Sequence, residues 1–100
     1  MADLTILYWR DIPAQIIVRK GRAAAKRELP LRFTEAIDMC AMRVGARDSD
    51  AYLAEWRKGD PCAVGDDLET EADVAFKQID TAYDHDRLVG LVKSEGWDNG

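Results

Sequence analysis

The sequence is poor in the residues that most often carry chemistry. Its 100 residues include one histidine, His85, and two cysteines, Cys40 and Cys62. The cysteines lie far apart with no C-x-x-C spacing, so neither a disulfide framework nor a zinc-site pattern is present. Gly-rich phosphate loops and the G-x-S-x-G sequence are absent as well. We therefore expect no metal, no cofactor and no catalytic residue; the sequence favours a protein that is not an enzyme but leaves that question open.

Long apolar runs are also missing. No stretch approaches the roughly 20 apolar residues that cross a bilayer. The opening MADLTILYW has neither a basic segment nor a cleavage site, so we expect no export signal and no membrane association. The expected location is the cytoplasm, with both thiols reduced. The length and the hydrophobic fraction of 47% predict one soluble globular domain over residues 1–100.

Charge is distributed unevenly along the chain. Residues 1–58 carry 11 basic and 8 acidic side chains, a balance of +3, whereas residues 59–100 carry 3 basic and 11 acidic ones, a balance of −8. The net charge of −5 argues against a nucleic-acid binder, which is normally basic overall. A basic half and an acidic half instead favour contact with a protein surface of the opposite sign.

Several segments have a clear periodicity. Residues 3–10 and 14–20 are rich in β-branched and aromatic residues and are separated by a short proline-containing link, which predicts an antiparallel hairpin. Residues 22–29, RAAAKREL, have high helix propensity; an early helix there would stop, kink or restart at Pro30, which could equally lie in the first turn of the next helix. Residues 51–57, AYLAEWR, favour a strand, although the polar residues 48–50 would also suit a helix N-cap.

Three further segments predict helices. In residues 31–44 the apolar side chains Phe33, Ile37, Cys40 and Val44 form one stripe, so Ile37 and Cys40 should be buried. Residues 67–83 and 86–95 have similar amphipathic patterns, and the tail 96–100 is expected to fray. The expected fold is α+β: a small antiparallel sheet, formed by the hairpin 3–20 and a strand near 51–57, with two to three helices packed on one face.

A basic run is the strongest candidate for a binding surface. Its members, with one more arginine near the second tryptophan, are Arg10, Arg19, Lys20, Arg22, Lys26, Arg27 and Arg57. The run could be the solvated side of a small fold, or a surface for an acidic protein or an anion such as phosphate or polyglutamate. The acidic half of the chain could also be its complement, within one molecule or across a homodimer.

Two Trp-Arg pairs are the second candidate. Trp9 and Trp56 each precede an arginine near the end of an apolar segment. On neighbouring strands they could form an aromatic, cation-bearing patch. The alternative is two core tryptophans with arginines that extend to the surface.

The strings LTILYWRDIPAQIIVRKGR and DAYLAEWRKGDP resemble a small bacterial family, the "virulence factor" or conserved virulence factor domain. The resemblance covers about residues 3–93. Larger relatives carry this domain beside an Nfu-type domain and HEAT-like repeats. The resemblance thus implies an accessory role in an enzyme assembly, in one-carbon or corrinoid methyl transfer or in iron–sulfur chemistry, and it implies no catalytic residues.

Overall fold

The fold is a mixed α+β arrangement with a small antiparallel sheet, as the sequence predicts. A computed structural model of the chain describes residues 1–45 and 49–98. The strands are β1 (Ala2–Trp9), β2 (Ile12–Lys20), β3 (Ala23–Glu28), β4 (Trp56–Lys58) and β5 (Cys62–Val64). The helices are α1 (Leu31–Arg43), α2 (Ser49–Ala54), α3 (Leu68–Ala82) and α4 (His85–Lys93), one more than expected. The sheet order is β3-β2-β1-β4, and β5 pairs with the other end of β1.

The β1–β2 hairpin confirms the predicted antiparallel pairing and contains a β-bulge. Trp9 pairs with Ile12 across a two-residue turn, and the register shifts between Leu7 and Tyr8, so that β2 has one extra residue there. Pro13 lies opposite Tyr8 beside the shift. A residue without an N–H is tolerated where the ladder is already interrupted, which explains a proline inside a paired strand.

Residues 22–29 do not form the expected helix. Ala23–Glu28 is the edge strand β3, paired with β2 from Lys20↔Ala23 to Gln15↔Glu28. The turn before it is two residues long, and Gly21 has φ +60°, a conformation that a type II′ hairpin requires at its first position. Helix propensity is worth only tenths of a kcal/mol per residue, so pairing with β2 and burial of Ala25 override it.

The segment 51–57 is helical in its first part and forms a strand at its end, so both structures that its sequence allowed are present. Its first part belongs to α2, the helix that the polar residues 48–50 would suit, and the expected strand is confined to Trp56–Lys58. The tail also differs from expectation, because residues 96–98 are docked. The Asp11 N–H donates to the Gly96 carbonyl at 2.8 Å, and the Asp98 N–H donates to an Asp11 carboxylate oxygen at 2.7 Å.

The core lies between one face of the sheet and the helices. Leu4, Val18 and Ala25 form one cross-strand row on that face, and α1 and α3 pack against the strands there. Ile37 and Cys40 of α1 are 1% and 0% exposed, which confirms the predicted helix stripe. Because side chains alternate along a strand, the neighbouring rows of the sheet point away from the helices.

Candidate functional site

The second face of the sheet is the main candidate for a binding surface, and we refer to it as the open face. It consists of three cross-strand rows whose members are Asp3, Thr5 and Leu7 on β1, Gln15, Ile17 and Arg19 on β2, Ala24, Lys26 and Glu28 on β3, Lys58 on β4 and Ala63 on β5. These side chains are all exposed or half-exposed. No element in the described ranges buries them, so the face is available for contact.

Three cations, on β2, β3 and β4, lie on the open face. Arg19, Lys26 and Lys58 are exposed, and the ion pairs found in residues 1–45 and 49–98 include none of the three. Thr5 and Ile17 lie between them in one row and are half-buried. The surface therefore combines cations that form no ion pair in the described ranges with a small half-buried apolar patch, a combination that suits an acidic contact surface.

A shallow hollow lies at one end of this face. It measures about 290 Å³, and its lining includes Asp3, Thr5, Ile17, Arg19, Lys20 and Lys58. Its size is just below the roughly 300–1,000 Å³ of typical small-molecule sites. Arg19 and Lys58 beside this hollow suit an anionic group, whereas the Asp3 carboxylate in the same lining opposes one.

The basic run is divided by the alternation of the strands. Lys20 and Arg27 belong to the rows that point toward the helices, where α3 and the residues before it are acidic. Lys20 Nζ lies 3.1 Å from an Asp66 oxygen, and Arg27 pairs with Asp73 at 2.9 Å and with Glu69. Part of the run is thus complemented by the acidic half within the same molecule.

The pKa shifts agree with this complementation. Hydrogen bonds from Lys20 and the N-terminal amine lower the pKa of the Asp66 carboxyl, because both stabilise its charged form. Hydrogen bonds to Glu69 and Asp73 raise the pKa of Arg27 in the same way. All three ion pairs are solvent-exposed, so each contributes little to the stability of the fold.

Arg10 is an internal anchor at the β1–β2 turn. Its guanidinium lies 5.3 Å from the Trp9 ring centroid and 5.1 Å from that of Trp97, between the two rings. Its Nε is buried and forms an ion pair with a Glu55 carboxylate oxygen at 3.3 Å, but the two atoms are not placed to form a hydrogen bond. The same guanidinium donates to the Glu95 carbonyl. Arg10 therefore ties the turn to α2 and the tail and leaves little of its charge for a ligand.

Arg57 is similarly engaged on the neighbouring strand. It pairs with Asp11 at 2.8 Å, and its guanidinium lies 4.7 Å from the Tyr8 ring centroid. Burial raises the pKa of the Tyr8 hydroxyl, and the nearby Tyr83 raises it further. With Asp98, which also contacts Asp11, these side chains line an open polar depression of about 400 Å³.

The two tryptophans meet across β1 and β4 in register. Trp9 is 0% exposed, and its indole N–H donates to the Tyr52 carbonyl at 2.9 Å. Trp56 is half-buried, and its ring contacts Tyr52 edge-on at 5.9 Å between centroids. Trp9 is thus a core residue, and only Trp56 presents part of its surface to solvent.

The remaining candidates are also placed by the structure. Arg22 lies in the β2–β3 turn and is exposed. The two cysteines differ, because Cys40 is buried and Cys62 is exposed on β5. The sequence analysis missed Lys58 on the open face. The predicted strand over residues 51–57 ended one residue before it, although alternation continued through residues 56–58. Within residues 1–45 and 49–98, no group of side chains could hold a metal ion and no helix is long and apolar enough to cross a membrane.

The fold and its open face define a small α+β domain with a one-sided helix layer. A family model described as "Virulence factor" matches residues 7–92. This range covers most of the 100 residues, so the chain belongs to the virulence factor family. No curated protein and no solved structure gives a significant match.

Proposed function

We propose that this protein is a non-catalytic interaction domain that binds an acidic protein surface through the open face of its sheet. The observation that carries the proposal is the set of unpaired cations Arg19, Lys26 and Lys58 around the half-buried Ile17. Lys20, Arg27 and Arg57 have acidic partners inside the molecule, whereas Arg19, Lys26 and Lys58 form no ion pair in the described part of the chain. The accessory role implied by the family resemblance agrees with a docking function.

The chemistry of the partner follows from the charges on the face. Carboxylates opposite Arg19, Lys26 and Lys58 would form ion pairs in a partly desolvated contact, where Coulomb attraction is stronger than in water. Ile17 and the half-buried Leu7 would supply the apolar area. Asp3, which lies opposite Arg19, and Glu28 on the edge strand β3 would disfavour partner carboxylates placed beside them, which gives the surface some selectivity.

A matched pair of charge reversals tests the proposal. Lys26→Glu changes the open face, and Lys77→Glu makes the same change on the outer side of α3. Both lysines are exposed, and neither forms an ion pair in the described ranges. Both variants should fold with unchanged melting temperature, because exposed charges contribute little to stability.

The readout is native co-purification with quantitative mass spectrometry at low and at physiological salt. We expect Lys26→Glu, and more strongly the triple reversal with Arg19→Glu and Lys58→Glu, to lose acidic partners that Lys77→Glu retains. Wild-type recovery should fall steeply with salt, because screening acts over about 8–10 Å. If all variants recover the same proteins in the same amounts, the open face is not the docking surface.

A second candidate function is binding of a phosphate-bearing or polyglutamate anion, and the hollow beside Arg19 and Lys58 favours it. Arg10, Lys20 and Arg57, which sequence reasoning included in such a site, have internal partners. The site would therefore depend on Arg19 and Lys58. A saturable rise in melting temperature with inorganic phosphate or polyglutamate, lost in Arg19→Ala, would support it over protein docking.

A further inference from the structure

A second groove lies on the opposite side of the molecule, between α1 and α4. The two helices run in nearly the same direction. At their starts the Tyr83 ring, just before α4, lies 6.1 Å from the Phe33 ring of α1. At their ends a Cβ added to Gly96, just after α4, would lie 3.1 Å from the Cys40 sulfur of α1. The last turns of both helices therefore share one end of the groove.

The groove is apolar along its length. Its volume is about 260 Å³, and its lining includes Ala36 and Met39 of α1 and Leu88, Val89 and Val92 of α4. Met39 is 55% exposed, an unusual state for a side chain in the middle of an apolar surface. A methionine is flexible and polarisable and adapts to different apolar partners. The volume is below that of typical small-molecule pockets, so it suits side chains of a docked segment.

Positive charge is concentrated at the shared end of the groove. Arg43 is in the last turn of α1 and Lys93 in the last turn of α4, and both line the groove. The ion pairs of the described residues include neither. At the other end Arg32 is occupied by Asp80 at 2.6 Å and also donates to the Tyr83 carbonyl. The shared end of the groove thus has two cations without ion pairs in the described residues, whereas Glu35, exposed and also without an ion pair there, lines the groove nearer its other end.

We propose that the α1–α4 groove binds an amphipathic helix of a protein partner, with acidic residues at the end that meets Arg43 and Lys93. Apolar side chains at positions i, i+3, i+4 and i+7 would enter between Met39 and Val89, as in other helix-in-groove complexes. The acidic end fixes the direction of the bound helix, because only one orientation brings its carboxylates to the two cations. This surface is independent of the open face, so the domain would connect two partners of different shape.

The proposal is tested with two synthetic peptides of about 18 residues that have the same leucine stripe. One has glutamates in its first turn, and the other has lysines there. Binding is measured by fluorescence anisotropy, and the site is located by NMR shift changes. We expect the acidic peptide to bind about tenfold or more tightly than the basic one at low salt. The preference should disappear in the double variant Arg43→Ala, Lys93→Ala.

A matched pair of valines separates groove contact from general hydrophobicity. Val89→Ser lies in the groove, whereas Val74→Ser makes the same change on α3, where Val74 is 46% exposed. The first should weaken acidic-peptide binding about tenfold and the second should leave it unchanged, with both variants folded by circular dichroism. Equal affinity for the two peptides, failure of the acidic one to bind, or equal effects of the two valine changes would overturn the proposal. So would concentration-dependent dimerisation that Val89→Ser abolishes, because the occupant would then be a second copy of the chain.

Discussion

Replacement of Gly96 by alanine should be among the most damaging single-methyl additions to this protein. Gly96 has φ +89°, a backbone conformation that alanine adopts only with strain. An added Cβ would lie 2.9 Å from Arg10 Cδ, 3.1 Å from the Cys40 sulfur and 3.2 Å from Arg10 Cβ. Arg10 cannot move aside easily, because it is held between two indole rings and Glu55.

The expected loss has two parts. The left-handed conformation costs an alanine about 1–2 kcal/mol, and overpacking of a filled site costs about 1–3 kcal/mol more. The free energy of unfolding should thus fall by about 2–5 kcal/mol. For a domain of this size each kcal/mol lowers the melting temperature by roughly 4–8 °C. If the tail undocks to relieve the clash, the loss is limited to its contacts with Arg10 and Asp11.

Two other glycines separate these contributions. Gly21 has φ +60° but nothing within 4 Å of an added Cβ, so Gly21→Ala should show the backbone cost alone. Gly90 is inside α4 in open space, so Gly90→Ala should stabilise the protein by up to about 1 kcal/mol. Melting temperature and urea unfolding give the three values. If Gly96→Ala lost no more than Gly21→Ala, the packing of the tail against Arg10 and Cys40 would be refuted.

Three further results are expected from the buried and paired groups. Ile37→Asp should abolish the cooperative thermal transition, because Ile37 is 1% exposed and a buried charge without a partner costs several kcal/mol; a normal transition would place Ile37 on the surface. A thiol reagent should modify one cysteine of the native protein quickly, Cys62, and the second only after unfolding, since burial raises the pKa of the Cys40 thiol. The pKa of Asp66 is lower in the folded state than in the unfolded state. The ionised carboxylate therefore contributes stability at any pH above its unfolded-state pKa, and this contribution is lost as the pH falls through its folded-state pKa. An NMR titration should show this pKa rising in Lys20→Ala, and an unchanged value would mean that the pair does not form in solution.

The sequence predicted the elements whose periodicity and packing agree. Residues 3–10 and 31–44 correspond to β1 and α1, because the β-branched and aromatic residues of 3–10 favour a strand and the apolar stripe of 31–44 matches the buried face of the helix. Residues 22–29 were misassigned because their local preference is helical while their position beside β2 decides their conformation. Nothing in the sequence of residues 22–29 itself indicates that the segment pairs with β2.

The candidate site was only partly predictable for a related reason. The sequence shows Arg19, Lys20, Lys26 and Arg27 as one group, but alternate residues of a strand point to opposite faces. Lys20 and Arg27 therefore meet the acidic start of α3, and Arg19 and Lys26 face solvent. This division depends on which face the helices cover, and that is set by contacts far apart in the chain.

The YWRDIP stretch, one part of the strings that carry the family resemblance, has mostly internal roles. In the YWRDIP stretch Trp9 fills the core, Arg10 connects the β1–β2 turn to α2 and the tail, and Asp11 accepts from Arg57 and from the Asp98 N–H. Recognition would depend on residues outside that stretch, such as Lys26 on the open face and Lys93 beside the groove. Members of the family could then share this fold while binding different partners, since surface residues can change without disturbing the core.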